Sequence, residues 1–430
     1  VAVLERLHQQ APFLELLSHE ETGNAASFER DRRVKRWCTD QAVPWREFRQ
    51  FGVVRGLRER KHWVRQWEQL THADQTPAPS LQTAELTRFT DPWPSADDLG
   101  LGAHEPPQRQ RGGRAQGLAV LQSFLNERSA SYRGGISSPL SAPSACSRLS
   151  PYLTWGCLSL REVVQATRSR LDDPALPGRQ RQGLEGFMSR LHWHCHFIQK
   201  LETEPAIEHH NMHPGYEGLR EHDHNPAHLQ ALMEGRTGWP LVDACVAMLR
   251  ETGWINFRMR AMLVSVAAYP LWLHWRPVGE WLARQFIDYE PGIHWSQLQM
   301  QSGTTGINTT RVYNPIKQAQ DHDPHGHFVR RWLPAMQRVP DTWLFQPWLM
   351  PPELQARCGV VVGVDIAAPL VDLELATRAA KERVYALRTD PAVAAVQASI
   401  VKRHGSRNRS AENLSKPRRV DAPAQATLDF

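Results

Sequence analysis

Residues 251–303 read ETGWINFRMRAMLVSVAAYPLWLHWRPVGEWLARQFIDYEPGIHWSQLQMQSG, and residues 311–315 read RVYNP. The long apolar runs in this stretch predict helices that pack into a core. Arginine and acidic residues interrupt the same runs, and charged side chains require partners when a protein buries them. The stretch therefore predicts a helical core and a candidate site together.

Five residues of this stretch form the candidate site. We predict that Arg258 and Arg260 lie one turn from Trp254 on one helix, and that Asp288 and Glu290 lie together at the end of another. In one interpretation the charges form a buried ion pair that braces two core helices. In the other they line a pocket for a polar, planar cofactor, which the many nearby tryptophans favour.

The composition limits the classes of protein to consider. At 430 residues the chain is long enough for two domains, and its net charge of +6 permits an acidic partner such as DNA. The six cysteines form no C-x-x-C pair, which fits a reduced, cytoplasmic protein. No apolar run reaches about 18 residues, so we expect neither a membrane protein nor an exported one.

The pattern predicts an α+β protein with a large all-α body. Near the N-terminus, a buried strand at 13–18, a basic helix at 27–38 and a second strand at 51–56 indicate part of a Rossmann-like α/β unit. The predicted divisions are a partial α/β domain at 1–70, a linker at 71–111, a helical domain at 112–388 and a largely disordered C-terminal extension at 389–430.

The segment Ser147-Arg148-Leu149-Ser150-Pro151 opens a predicted helix with hydroxyls and backbone N–H groups. Such a helix start can bind a phosphate or pyrophosphate. Ordinary N-capping by serine explains the same residues equally well, so both interpretations stay open.

A second candidate surface lies on one helix face. Its residues Arg190, Trp193, His194 and Phe197 have the spacing i, i+3, i+4 and i+7. A cation, an indole and an imidazole together can line a pocket in which bases stack. Alternatively, the two aromatic rings pack into the core while the arginine and histidine reach solvent.

Other catalytic signatures are weak. His192 and His196 have the i, i+4 spacing of many zinc pairs, but no HExxH, CxxC or second ligand cluster accompanies them, so we predict no metal site. The sequence also lacks a nucleophile elbow, a P-loop and a G-x-G-x-x-G fingerprint. Hydrolysis and phosphoryl transfer are therefore unsupported.

Seven features resemble, in order, the FAD-binding body of the DNA photolyase/cryptochrome family: Tyr132, SRLSPYLTWGCLS (147–159), RLHWHCHF (190–197), TGWPLVDACVAML (237–249), TGWINFRMR (252–260), HWRPVGEWLARQFID (274–288) and RVYNPIKQAQDHDPHGHFVRRWLP (311–334). The resemblance covers residues 112–372. Residues 14–69 are similar to the second half of the family's antenna domain. Its first strand is missing, so we expect a truncated or short form, and the resemblance does not support an antenna chromophore.

The resemblance implies FAD as the cofactor. It places Tyr132 and the turn at 146–150 at the FAD phosphates and ribityl chain, and the pair Arg260 and Asp288 beside the isoalloxazine ring. His294 falls where bacterial photolyases carry an Asn near flavin N5. The expected FAD-binding residues are Tyr132, Cys146, Ser147, Arg148, Leu149, Ser150, Trp254, Arg260, Asp288, Tyr289, Glu290 and His294.

The resemblance also implies DNA containing pyrimidine dimers as the partner. Trp193 matches the tryptophan that stacks on a flipped dimer, Arg258 matches an arginine that touches it, and Gln318 aligns with a DNA-backbone contact. Arg190, Phe257 and Gln299 depart from the family, which usually has Glu, Asn and Trp there. The expected nucleic-acid-binding residues are Arg190, Trp193, His194, Arg258, Gln299, Arg311 and Gln318.

The family's electron-supply chain is matched only at its middle tryptophan, Trp275. Gln297 and Met233 occupy the flanking positions, and Trp295 or Trp272 are candidates to replace them. The residues expected to act in the reaction are Trp193, Arg258, Trp275 and His294.

The activity that the resemblance implies is a light-driven lyase reaction, in which excited reduced FAD donates an electron to the dimer and the electron returns after the ring splits. The alternative is a cryptochrome-like blue-light photoreceptor without repair activity. We expect a monomer that acts on DNA and not on a membrane.

The chain ends KPRRVDAPAQATLDF, and Pro, Ala, Ser and Arg dominate from His404 onward, which predicts disorder. Gln425, Leu428 and Phe430 resemble the peptide by which bacterial polymerases and repair proteins bind the sliding clamp. A frayed end without function is the alternative.

Overall fold

The computed structural model describes residues 1–57, 59–77, 80, 92–102, 105–307 and 311–405. Helices dominate this part of the chain, with one two-stranded sheet near the N-terminus, so the predicted α+β class with a large all-α body is confirmed. The predicted disorder after residue 405 and the clamp-like peptide lie outside the described residues. Within these ranges no helix has both the length and the apolar composition needed to cross a bilayer.

The N-terminal residues form a small α/β unit. Its elements are α1 (Ala2–Gln10), β1 (Leu16–His19), α2 (Ala25–Asp40) and β2 (Trp45–Phe48). The two strands are parallel, with Leu16 opposite Trp45 and His19 opposite Phe48. Helix α2 makes the crossover that parallel strands need, which confirms the predicted α/β unit.

Two details of the strand prediction are wrong. The second strand lies at 45–48 and not at 51–56, because the residues after Arg49 leave the sheet and bury their apolar side chains beside Trp67. A Cβ on Gly52 would overlap the Trp67 ring, which shows how closely this segment packs. Strand β1 is half-buried, since burial alternates along it and Leu17 is 57% exposed.

The rest of the described chain is helical. Its α-helices are α3 (Trp63–His72), α4 (Arg114–Asn126), α5 (Tyr132–Gly135), α6 (Ala142–Ala145), α7 (Ser150–Thr154), α8 (Leu160–Leu171), α9 (Gly178–Thr203), α10 (Pro226–Glu234), α11 (Pro240–Thr252), α12 (Phe257–Ala268), α13 (Trp275–Gln285), α14 (Pro291–Ser302), α15 (Pro315–His322), α16 (His327–Trp332), α17 (Pro352–Cys358), α18 (Leu373–Arg388) and α19 (Pro391–His404).

The predicted C-terminal extension begins as helix α19 and not as disordered chain. Arg403 Nη1 and His404 Nε2 lie 2.9 and 2.6 Å from the Glu204 carboxylate at the end of α9. Gln397 donates to the carbonyl of Gly306 at 2.9 Å. These tertiary contacts stabilise α19, and the local sequence of the C-terminal extension does not predict them.

Helices α9 and α14 form the centre of the body, and glycines permit their close packing. A Cβ on Gly292, in the first turn of α14, would lie 2.5 Å from the Cα of Ile198 on α9. A Cβ on Gly279 of α13 would lie 2.6 Å from Cζ3 of Trp295 on α14. Helix α12 also packs on α14. The first turn of α14 and the carboxylates before it are therefore enclosed by three helices.

The candidate residues do not all lie on helices as predicted. Trp254 lies between α11 and α12, because Gly253 adopts φ +64°, a left-handed conformation that ends α11 before the helix of Arg260 begins. Asp288 lies between α13 and α14, and Glu290 is the N-cap of α14. Apolar residues continue through these breaks, so periodicity does not reveal them.

One acidic residue in the quoted motifs has a structural role. Asp243 on α11 accepts hydrogen bonds of 2.7 to 3.0 Å from the N–H and hydroxyl of Thr237 and from the N–H of Gly238. Burial raises the pKa of Asp243 to about 6, and these hydrogen bonds oppose that rise. The carboxylate therefore stabilises the turn at the start of α11.

Candidate functional site

An ion pair joins α12 to the connection before α14. Arg260 Nη2 donates to Asp288 Oδ2 at 2.9 Å, and Arg260 Nε donates to the carbonyl of Ile255 at 2.8 Å. The predicted pairing is confirmed. The other carboxylate oxygen, Asp288 Oδ1, is buried without a hydrogen-bond partner in the described chain, so it can accept a bond from a ligand.

Arg148 and Trp254 form a wall beside this pair. The guanidinium carbon of Arg148 lies 3.6 Å from the Trp254 ring centroid, and Arg148 Nη1 is buried without a partner among the described residues. Arg148 has φ +62°, an uncommon conformation for a residue with a side chain and one that clusters at binding sites. Burial lowers the pKa of Arg148 to about 10, and the charge of Asp288 opposes that effect.

Arg128, which the sequence did not reveal, fixes the turn before α7. Its guanidinium donates to the backbone carbonyls of Val120, Ser144, Cys146 and Ser147. In the sequence, Arg128 is simply an arginine that follows an apolar helix. Many solvent-exposed arginines occupy such positions, so the sequence does not single it out. Burial raises the pKa of Cys146 to about 12, so its thiol stays protonated near neutral pH.

The helix start at Ser150 differs from the capping interpretation. Helix α7 has five residues, its N-cap is Leu149, and no side chain caps it. Ser147 and Ser150 are half-buried beside the turn that Arg128 holds. Serine capping is therefore wrong, and the phosphate interpretation stays a prediction.

The charges of the site are unbalanced. Besides burial, the positive charges of Arg260 and Arg128 lower the pKa of Arg148, and Asp288 is the main acidic group that opposes them. Three guanidinium groups around one carboxylate favour an anionic ligand. The ligand must also offer a donor, because Asp288 Oδ1 accepts.

His294 lies next to this pair on α14. Its Nε2 lies 2.9 Å from the carbonyl oxygen of Gly279, which can only accept, so Nε2 carries the proton. Burial lowers the pKa of His294 to about 4, so the imidazole is neutral near pH 7 and Nδ1 is an acceptor. Burial also raises the pKa of Glu290 to about 8 and that of Tyr289 to about 12, which keeps both groups mostly protonated at that pH.

Tyr132 and Arg190 connect the predicted cofactor site with the predicted nucleic-acid face. The buried Tyr132 side chain is hydrogen-bonded to the Arg190 side chain on α9. Arg190 therefore points toward a cofactor residue. Asn256, which the sequence did not reveal, donates to the carbonyls of Ile136 and Ser137 at 2.9 Å and ties the start of α12 to the loop after Tyr132. The sequence did not reveal this role because an asparagine directly before a helix is usually an ordinary N-cap.

The predicted face of α9 is partly assembled. The rings of Trp193 and Phe197 stack with centroids 5.6 Å apart and planes 29° apart, and both side chains are half-buried. His194 instead contacts Phe51 of the N-terminal unit at 5.0 Å, so its predicted place on this face is wrong. The i+4 spacing put His194 near the face, but Phe51 covers that side of the helix.

A second patch lies at the start of α12. The positive charge of Arg258 contributes, after burial, to lowering the pKa of His322, which places Arg258 near the end of α15. Gln318 lies one turn before His322 on α15. Arg258 Nε and Gln318 Oε1 are both buried without hydrogen-bond partners in the described ranges. This patch therefore has a donor and an acceptor to offer.

Gln299 does not reach any such surface, so its predicted role is wrong. It is fully buried, with Oε1 accepting from the N–H of Met212 at 2.5 Å and Nε2 donating to the carbonyls of Ile207 and His210 at 2.8 and 2.7 Å. Gln299 thus braces the loop after α9. Arg311 is exposed, as a nucleic-acid contact requires.

The tryptophans near the site form a short path. The ring of Trp295 lies 4.9 Å from His294 and 5.9 Å from Trp275, between centroids. Of the two candidate replacements, Trp295 is therefore in contact with Trp275. Among the described residues, no three His, Cys, Asp or Glu side chains are grouped as a metal ion requires; His192 lies between Trp63 and Trp67.

Comparison with known proteins agrees with this geometry. The family described as the FAD binding domain of DNA photolyase matches residues 187–386. A cryptochrome DASH of Gloeobacter violaceus is 29% identical over 72% of this chain and 60% of its own length. A deoxyribodipyrimidine photo-lyase of Vibrio cholerae is 30% identical over 54% of this chain and 49% of its own length. The chain thus spans about half to three fifths of these curated relatives.

A solved structure shares the fold. A bacterial class III photolyase from Agrobacterium tumefaciens has a TM-score of 0.73 and 21% identity, covering 90% of this chain and 82% of that one. A Synechocystis cryptochrome has a TM-score of 0.75 and 20% identity, covering 89% and 81%.

The residues present fit FAD. Its pyrophosphate suits the excess of guanidinium groups and the unpartnered Arg148 Nη1, and a ring N–H of its flavin suits the unpartnered Asp288 Oδ1. Residues 187–386 therefore form an FAD-binding domain of the DNA photolyase type, and FAD is the cofactor.

Proposed function

We propose that the protein is a light-driven enzyme that repairs pyrimidine dimers in DNA. The stacked, half-exposed rings of Trp193 and Phe197 carry this proposal, because a flat aromatic surface suits a base that has been turned out of the duplex. The Arg190 and Tyr132 contact connects this surface to the FAD site. Relatives named deoxyribodipyrimidine photo-lyase support the proposal.

Each part of the site has a role in this reaction. Reduced FAD, when bound, supplies the electron that splits the dimer after light is absorbed. Arg260 and Asp288 orient the cofactor and shield it from water. Trp193 stacks on the extruded dimer, and the half-buried side chains of Arg258 and Gln318 contact the DNA.

A blue-light photoreceptor without repair activity is the second candidate. Arg190 and Gln299, both expected at the lesion, make internal hydrogen bonds instead. Relatives named cryptochrome support this alternative. The discriminating experiment illuminates reduced, FAD-loaded protein with oligonucleotides that carry defined dimers. Loss of dimers only in the light supports repair; intact dimers in single- and double-stranded substrates exclude it.

Trp193→Ala is expected to weaken binding to dimer-containing DNA by about 1–3 kcal/mol, the value of one base–aromatic stack. FAD content should not change, because the rings that Trp193 contacts are those of His196 and Phe197, neither of which is an expected FAD-binding residue. Fluorescence anisotropy with a labelled oligonucleotide measures the affinity. Trp93→Ala is the matched control, since Trp93 is 96% exposed. Equal losses in both variants, or none in Trp193→Ala, contradict the assignment.

We also propose, from sequence alone, that the last residues bind a bacterial sliding clamp through Gln425, Leu428 and Phe430. Such a tether raises the local concentration of the enzyme on DNA. A peptide of residues 416–430, titrated by calorimetry against a bacterial clamp, should bind with about micromolar affinity, or about −8 kcal/mol. The peptide with Leu428→Ala and Phe430→Ala should not bind. Equal binding by the two peptides excludes the proposal.

A further inference from the structure

The indole N–H of Trp275 has a specific acceptor outside the FAD site. Trp275 is fully buried, and its Nε1 donates to Oδ1 of Asn211 at 2.7 Å. The Trp275 ring also contacts Trp295, which in turn contacts His294. Asn211 is therefore at the far end of a path of rings that begins at the FAD site.

The orientation of the Asn211 amide is fixed by its other contacts. Its Nδ2 donates to the carbonyl of Tyr216 at 3.1 Å and to Oε1 of Glu221 at 3.4 Å, and its backbone N–H donates to Glu217 at 2.7 Å. The Tyr216 carbonyl and the Glu221 carboxylate can only accept, so the amide nitrogen faces them and Oδ1 faces Trp275. The amide thus stands between an indole N–H and a carboxylate.

Trp272, the other candidate, has a different environment. Its Nε1 donates to Asp223 at 2.9 Å, but the guanidinium groups of Arg220 and Arg383 lie 4.6 and 4.8 Å from its ring centroid. Two cations against one carboxylate disfavour removal of an electron from this indole. The Trp275 indole instead donates to the neutral amide of Asn211, and the carboxylate of Glu221 lies on the other side of that amide. The charges therefore favour Trp275 as the residue that is oxidised.

We propose that Asn211 and Glu221 act as a positioning pair that stabilises oxidised Trp275 while leaving its proton in place. The inference rests on the proposed FAD-dependent function, and it concerns an electron that Trp275 gives to oxidised FAD, not the electron that reduced FAD gives to the dimer. Trp275 gives one electron, by way of Trp295, to photoexcited oxidised FAD and becomes a radical cation. An amide oxygen is too weak a base to take the Nε1 proton, so the cation keeps it, and the charge of Glu221 offsets the positive charge. Return of one electron restores the neutral indole.

The test compares two isosteric substitutions two residues apart. Glu221→Gln removes the charge behind Asn211, and Asp223→Asn removes the charge at Trp272. Transient absorption after a blue-light pulse, on FAD-loaded full-length protein, measures the yield and spectrum of the tryptophan radical. Glu221→Gln should lower the yield about tenfold, which corresponds to about 1.4 kcal/mol, while Asp223→Asn should change it less than about twofold. Asn211→Ala is a second variant that should also lower the yield.

The outcomes separate this inference from the proposed function. A larger effect of Asp223→Asn, equal effects of both substitutions, or a wild-type spectrum of the deprotonated radical overturns the inference. Absence of any tryptophan radical in wild-type protein with bound FAD also overturns the inference, but it leaves dimer repair open, because repair uses an electron from reduced FAD. Loss of dimer repair with an intact, Glu221-dependent radical leaves the inference standing and supports the photoreceptor alternative. FAD content and melting temperature, measured for each variant, show whether the fold is intact.

Discussion

Asp288→Ala is expected to purify without flavin and to lower the free energy of unfolding by about 3 kcal/mol, as breaking a buried ion pair does. The Asp288 side chain is only 4% exposed, and its loss leaves Arg260 facing the other guanidinium groups of the site. Breaking such pairs costs about 3–5 kcal/mol. We expect the lower end because the Arg260 side chain is 23% exposed and keeps some solvation.

The ratio of flavin to protein absorbance and urea unfolding of the flavin-free protein measure the two effects separately. Asp288→Asn keeps the shape and an acceptor oxygen without the charge, so it should lose less stability than the alanine variant. Asp321→Ala is the surface control, because Asp321 is exposed and pairs with Lys317 at 3.4 Å. It should change stability by less than about 0.5 kcal/mol. Undiminished flavin and unchanged stability in Asp288→Ala would show that the pocket is assigned wrongly.

The residues that the sequence predicted correctly are those whose chemistry is local or obligatory. Arg260 and Asp288 had to find partners because apolar runs surround both of them, and they pair with each other. Trp193 and Phe197 are four residues apart on a long helix, so their rings meet on the same face. The resemblance to a family then supplied the cofactor, which no spacing of residues indicates.

The errors arose where contacts distant in sequence decide the role of a side chain. Gln299 matched a stacking position, but both its amide oxygen and its amide nitrogen are hydrogen-bonded to backbone groups some 90 residues earlier in the chain. His194 has the right helical spacing, but the N-terminal unit covers its side of α9. Arg128 and Asn256 bind carbonyls of turns whose shape only the folded chain defines. A local pattern of residue types does not predict hydrogen-bond partners that lie far away in the sequence.

Gly183→Ala is expected to lower the free energy of unfolding by about 3 kcal/mol, the upper end of the usual cost of overpacking. Gly183 lies in α9, and a Cβ there would overlap the carbonyl oxygen of Ser129. Backbone cannot move aside as a flexible side chain does, so α9 must shift away from the segment between α4 and Tyr132. That segment includes Arg128, which holds the turn at 144–147, so the shift should also weaken FAD binding.

Gly186→Ala, one turn later on the same helix, separates this packing effect from helix propensity. A Cβ on Gly186 would lie 3.6 Å from the Tyr132 ring, an ordinary contact. Since alanine favours a helix over glycine by about 1 kcal/mol, Gly186→Ala should be neutral or stabilising. Opposite signs in the two variants, measured by urea unfolding together with FAD titration, are the expected result. Equal stability of Gly183→Ala and wild type would mean that α9 and the Ser129 segment are not packed this closely.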